Sequence, residues 1–162
     1  MEAKILLIEE DAILRKNTAE ILGLANYDVI TAENGELGVE KAIKLKPDLV
    51  VSDIPMSGLD GYGVLQVLRK NRELQHTPFI FMSTKTKHYE VRKGMDLWAS
   101  DYITIPFDKS ELLSAIEARL KLEEIPNSSI NENGSVKDSN KIESESLDKL
   151  FAHKEKFNYR KG

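Results

Sequence analysis

A chain of 162 residues and 18.3 kDa, 41% hydrophobic and 31% charged, is long enough for one packed domain with chain to spare, which excludes a fibre and a fully disordered protein. With no cysteine there is no disulfide, thiolate metal site or thiol nucleophile, so any chemistry falls to carboxylates, hydroxyls, lysines or the three histidines. Up to Glu124 the sequence has 16 Lys and Arg against 21 Asp and Glu, an acidic globule without the basic face that nucleic acid requires, and no run approaches the roughly 18 apolar residues of a membrane span.

Met1-Glu2-Ala3-Lys4 leads directly into a strand-like segment and not into a signal peptide, so a cytoplasmic location is expected. Lys4 to Ile8, KILLI, is a nearly continuous apolar run of the kind that a parallel strand covered on both faces requires. Ala12 to Ala25 follows with Leu14, Thr18, Ile21, Leu22 and Ala25 on one helical face. Asp28 to Ala32 reads as a second, weaker strand and Glu36 to Leu45 as a second helix. Leu49 to Ser52, LVVS, is another buried strand, and Val64, Leu65 and Leu68 mark a helix after Gly61. Phe79 to Met82, FIFM, is a fourth strand, His88 to Leu97 a helix, and Asp101 to Ile105 a fifth strand. The last helix, Lys109 to Leu122, begins with D-K-S-E from Asp108 to Glu111, the pattern of a capping box.

Five strand and helix units in about 120 residues call for an α/β fold, an open parallel sheet with helices on both faces. In such sheets ligands bind beyond the carboxyl ends of the strands. The residues at those ends are Glu9, Glu10 and Asp11 after the first strand, Asp53 after the third, and Ser83 and Thr84 after the fourth. Carboxylates gathered at one edge repel unless a cation joins them, and an all-oxygen donor set with room for water points to Mg²⁺ or Mn²⁺ over Zn²⁺. Asp53 beside such an ion is placed to attack a phosphoryl donor, with Ser83 in reach of the new phosphate. Asp11 is better suited to cap the first helix than to bind metal, and the three histidines, His76, His88 and His153, have no metal spacing.

These residues resemble the receiver domains of two-component response regulators. The likeness covers Lys4 to Leu122 and rests on Ile8-Glu9-Glu10-Asp11, on Pro47 to Asp53 followed by Met56, Gly58, Leu59, Asp60, Gly61 and Tyr62, on Phe79 to Ser83, and on Ala99 to Phe107. The resemblance implies a doubly wound (βα)5 sheet of flavodoxin-like strand order 2-1-3-4-5. It also implies Asp53 as phosphoacceptor, Ser83 as switch hydroxyl and Tyr102 as switch aromatic. Mg²⁺ would be held by Glu9, Glu10, Asp53 and the Pro55 carbonyl. The expected partner is a sensor histidine kinase or phosphotransfer protein, and receivers often form homodimers through the last strand and helix, which these residues leave open. The domain so read is a regulatory phosphoacceptor and not an enzyme with turnover.

Four residues depart from the family's pattern. Ile105 stands where a Lys usually precedes Pro106, which removes the cation that pairs with the phosphoryl group; Lys85 and Lys87 are the nearest substitutes in sequence. Glu10 replaces the usual Asp and is one methylene longer, Ser57 replaces a usual Pro, and Trp98 stands where a Gly commonly ends a helix. Ile105 and Glu10 together motivate an alternative, a pseudo-receiver that works by constitutive protein contacts without phosphorylation. An aspartate-based phosphatase fits poorly, because it needs a second Asp where Pro55 stands, and a flavin carrier fits poorly because Glu9-Glu10-Asp11 would repel its phosphate.

The domain is expected over residues 1–124. Residues 125–146 read as a polar linker, and 147–162 as a tail with helix-period apolar residues at Leu147, Leu150 and Phe151 and a basic end. The tail resembles the opening of a cyclic-nucleotide-binding regulator of the cyclic-AMP receptor protein type, which implies a truncated C-terminal effector domain; the alternative is an amphipathic tail that docks on the domain.

Overall fold

Among the residues that the computed structural model describes, 2–84 and 88–123 with the side chains of 88–90 excepted, strands and helices alternate strictly. They are β1 (Lys4–Ile8), α1 (Ala12–Leu24), β2 (Asp28–Ala32), α2 (Gly35–Leu45), β3 (Leu49–Ser52), α3 (Gly61–Lys70), β4 (Phe79–Ser83), α4 (His88–Asp96), β5 (Asp101–Thr104) and α5 (Lys109–Glu123). All lie in the unit Met1–Pro126. The predicted linker 125–146 and tail 147–162 lie outside the described residues, as do Lys85, Lys87 and His153. No helix among the described residues is long and apolar enough to cross a membrane.

The strands form one parallel sheet in the order β2-β1-β3-β4-β5. Strand periodicity divides the apolar runs between two layers. Leu6, Ile8, Val50, Phe79 and Phe81 pack with Ala42, Val64, Leu65 and Leu68 on the α2 and α3 side. Ile5, Leu7, Val51, Ile80, Met82 and Ile103 pack with Leu22, Leu112 and Ile116 of α1 and α5. Burial on both faces is why β1, β3 and β4 carry no polar alternation. Tyr62 and Phe81 meet edge to face at 5.2 Å, with the Lys93 ammonium 4.4 Å over the Tyr62 ring.

The connections that leave the sheet's C-terminal edge are fixed by side-chain caps, each satisfying an amide that the helix leaves unpaired. Asp11 accepts from Leu14 N at 2.8 Å, Asn34 from Leu37 N at 2.8 Å, and Asp60 from Gly63 N at 2.8 Å. Asp11 is therefore the cap that its position predicted. The fourth strand runs one residue further than its apolar run, so Ser83 is a fully buried strand residue and not a loop hydroxyl.

Trp98, between α4 and β5, takes a left-handed backbone with φ 68° while leaving 79% of its surface exposed. A side chain in that region costs on the order of 1 kcal/mol relative to glycine, and nothing in the structure explains the choice of tryptophan. Trp98→Gly is therefore expected to stabilise the domain by about 0.5–1 kcal/mol, measured as a higher urea midpoint by circular dichroism. A lower midpoint would mean that the indole packs where its exposure says it does not.

Candidate functional site

Register alone brings the acidic residues together. β1 and β3 pair with Ile8 opposite Ser52, so Glu9 and Asp53 leave neighbouring strands at the same level, about 4.8 Å apart in backbone. Two further ladder bonds extend the pairing past the strand ends: Asp53 N donates to Ile8 O at 3.0 Å, and Glu9 N to Ala32 O at 3.0 Å. On the other side of β3, Ser52 is opposite Phe81, which leaves Ser83 one residue beyond the level of Asp53. Its hydroxyl hydrogen-bonds the Asp53 carboxylate, and Asp53 Oδ1 also accepts from its neighbour Ile54 N at 2.7 Å.

Glu9 is buried, 2% exposed. Its Oε1 accepts from Asp11 N at 2.9 Å, and its Oε2 is buried and receives no hydrogen bond. Burial pushes the Glu9 carboxyl up to about 7; the Asp11 N–H opposes this, while the negative charge of Asp53 adds to it. The Asp53 carboxyl is raised as well, first by burial and in part by the charge of Glu10; hydrogen bonds from Ile54 N, Glu9 and Ser83 pull the other way. The two groups are best satisfied as a pair in which Glu9 holds a proton and donates it to Asp53. Its orphaned oxygen then has a role. The same oxygen would also be satisfied by a cation between the two carboxylates, so the donor set fits a divalent ion. Among the described residues, the groups that favour the charged form of Asp53 are hydrogen-bond donors, and none is a cationic side chain.

Glu10 points elsewhere than a simple acidic pair would have it. It is exposed, and its carboxylate accepts from Ser57 N at 3.3 Å to each oxygen and from the Ser57 hydroxyl through Oε1. Among the described residues no three acidic or histidine side chains converge as a ready metal cage. An ion held here would use one or two carboxylates, the carbonyl of exposed Pro55 and water, which suits Mg²⁺. The loop that carries Pro55 and Ser57 is anchored from α2, where Leu59 N donates to Glu36 Oε1 at 2.9 Å.

Tyr102 is half-buried and packs on the α3 side of the sheet, with Phe81 in the same cluster. Ile105 packs in the opposite layer, an apolar contact that a lysine's charged end would not make. Lys85 and Lys87, the expected substitutes for a cation there, lie outside the described residues. Sequence reasoning passed over Arg15 and left Ser57, already seen as a departure from the family's pattern, without a role. Arg15 donates to Glu9 O at 2.7 Å and Glu10 O at 3.2 Å, pinning the acidic turn to α1; its place one turn into the helix was the available signal. The role of Ser57 was not legible, because its partner is 47 residues away. A groove of about 840 Å³ at the sheet's opposite edge, with Ala3, Asp48, Pro78 and Glu117 among its walls, contains none of the predicted site residues.

Residues 5–117 match the family model described as the response regulator receiver domain. The response regulator ArlR of Staphylococcus saprophyticus is 36% identical over 118 residues, 73% of this chain and 52% of that protein. Protein PilG of Pseudomonas aeruginosa is 32% identical over 117 residues, 72% of this chain and 87% of that protein. The chain thus spans about half the length of ArlR and most of PilG. Among solved structures, the Vibrio cholerae chemotaxis protein CheY4 superposes with a TM-score of 0.70 at 25% identity over 73% of this chain and 98% of that one.

Proposed function

The chain belongs to the response regulator receiver domain family, and from that premise we propose that Asp53 accepts a phosphoryl group from a sensor histidine kinase or phosphotransfer protein and that the resulting change is passed to a partner or effector domain. The observation that carries this reading is the Asp53 carboxylate itself. It stands beyond β3, beside buried Glu9, with the Ile54 N–H and the Ser83 hydroxyl already aimed at it.

In the transfer an Asp53 oxygen attacks phosphorus while the bond from phosphorus to the donor imidazole nitrogen breaks; the imidazole leaves with that electron pair and is protonated, and Asp53 becomes a mixed anhydride. Backbone N–H donors and hydroxyls aimed where charge develops are what such a step needs. Glu9, Glu10, Asp53 and the Pro55 carbonyl would hold the divalent ion. Bound Mg²⁺ supplies the charge that lets these carboxylates ionise together and that offsets charge on the phosphoryl oxygens. For Glu9 this means giving up its proton. Ser83, buried beside Asp53, reads the phosphoryl oxygens, and Tyr102, in the same layer as Phe81, is the aromatic that follows.

Ile105 leaves the phosphoryl group without the lysine that pairs with it elsewhere in the family. Loss of one charge-assisted bond is expected to slow acceptance and weaken coupling to the switch, but it does not remove the nucleophile. The pseudo-receiver alternative is not favoured by the relationships above.

Incubation with acetyl phosphate in Mg²⁺, followed by intact-protein mass spectrometry, tests the proposal. The expected result is one phosphoryl adduct that disappears in EDTA and in Asp53→Asn. A wild-type chain that gains no mass under these conditions would leave a constitutive interaction module in its place.

A further inference from the structure

Two of the departures from the family's pattern, Glu10 and Ser57, meet in space. We propose that Ser57 is a positioning residue that holds Glu10 and competes with a divalent cation for its carboxylate. The inference deepens the reading of this site as a divalent-dependent phosphoacceptor and rests on it.

Both residues are exposed, and both belong to loops at the C-terminal edge of the sheet. Glu10 closes the β1 turn that carries Glu9, and Ser57 lies four residues past Asp53. Ser57 presents two donors to one carboxylate: its N–H lies 3.3 Å from each Glu10 oxygen, and its hydroxyl donates to Oε1. A proline at this position has neither donor. An aspartate at position 10 is a methylene short of the same contact. The longer acid and the serine therefore form a matched pair, which neither change would create alone.

The pairing has a consequence for metal binding. Glu10 follows buried Glu9 directly, and its partner Ser57 lies on the loop that leaves Asp53, so it borders the ion's place. Yet its lone pairs already accept charge-assisted bonds from Ser57, of the kind that lose the most when broken. Mg²⁺ binds carboxylates only in near-octahedral geometry and exchanges water for them reluctantly. To take Glu10 as a direct or water-bridged ligand the ion must displace Ser57, and the affinity falls by what that bond contributes. The buried Oε2 of Glu9, which no donor reaches, marks the place beside Asp53 that a proton or a cation fills. Beside it, the Glu10 carboxylate is engaged by Ser57.

Calorimetric titration of the full chain with MgCl₂ tests this, using wild type, Ser57→Ala, Glu10→Asp, the double variant and Asp53→Asn. Ser57→Ala and Glu10→Asp are each expected to bind Mg²⁺ about 5- to 10-fold more tightly than wild type, the scale of one solvent-exposed hydrogen bond. The double variant is expected to gain no more than the better single one, since both changes remove the same contact. A merely structural role for Ser57 would not produce tighter binding or this lack of additivity. Unchanged or weaker Mg²⁺ binding in Ser57→Ala, or fully additive gains, would overturn the proposal. Asp53→Asn separates the two levels: weaker binding there with no effect in Ser57→Ala leaves the phosphoacceptor site standing and removes only the competition. No Mg²⁺ response in any variant removes both.

Discussion

Replacing Gly61 by alanine is expected to destabilise the domain by about 2–4 kcal/mol and to reduce phosphoryl acceptance in the fraction that remains folded. Gly61 begins α3, eight residues after the phosphoacceptor, and its N–H donates to Ile54 O at 2.8 Å. A Cβ there would fall inside van der Waals contact of the Asp53 carbonyl oxygen and lie 3.0 Å from Ile54 Cα. These are backbone atoms, which cannot swing aside as a side chain can, so either α3 or the end of β3 must move. The helix is held by Tyr62, Val64, Leu65 and Leu68 in the core. The strand end carries the site and is held as well, by buried Ile54 and by the Asp53 N–H bond to Ile8 O, so the displacement reaches Asp53 from either side. Gly23, in α1, provides the contrast, because a Cβ there meets nothing within 4 Å and Gly23→Ala is expected to stabilise by about 0.5–1 kcal/mol. Urea denaturation of the two variants, with acetyl phosphate labelling of each, separates steric displacement from a general effect of helix propensity. Equal stability in Gly61→Ala and wild type would show that the close approach of helix and loop is relieved at no cost.

The elements that read most clearly in the sequence are those whose residues have no choice of layer. KILLI, LVVS and FIFM read as strands buried on both faces, and Asp11 sits where a helix needs an acceptor. Asp53 was legible for the same reason, a carboxylate ending an apolar run. What escaped is whatever depends on contacts across the chain. Strand pairing, and not hydrophobicity, carries β4 on to Ser83. Glu9 and Glu10 look equivalent in sequence, with Glu10 the more obvious ligand. A ladder bond to Ala32 turns Glu9 into the buried partner of Asp53, and Ser57 holds Glu10 at the surface. Serine at 57 had no reading until its partner was known. The register that joins β1 to β3 is what makes these distant positions neighbours.

That register also predicts a pH dependence. The Glu9 carboxyl is held at about 7 in the folded domain against an ordinary 4.5, so the folded state takes up a proton that the unfolded chain has already lost. Stability from this group is complete below about pH 4.5 and is lost as pH rises through 7; the raised Asp53 carboxyl acts in the same direction. In EDTA the wild-type domain is therefore expected to melt at a lower temperature at pH 8 than at pH 5.5, with about 2 kcal/mol of the difference due to Glu9. Glu9→Gln keeps an acceptor for Asp11 N and a permanent donor toward Asp53, without the charge. It is expected to remove most of this slope and to stabilise the domain at pH 8 by a similar amount, several degrees in Tm. The same substitution removes the carboxylate that a cation would neutralise. Mg²⁺ should consequently raise the pH 8 melting temperature of wild type and do little for Glu9→Gln. Thermal melts across this pH range, with and without Mg²⁺, measure both effects. If the variant keeps the full wild-type slope, the buried proton resides elsewhere and Glu9 is not the partner of Asp53. If the slope flattens and the Mg²⁺ response is lost with it, one buried carboxyl exchanges a proton for a metal. The domain would then be least stable where it is best prepared to bind the ion.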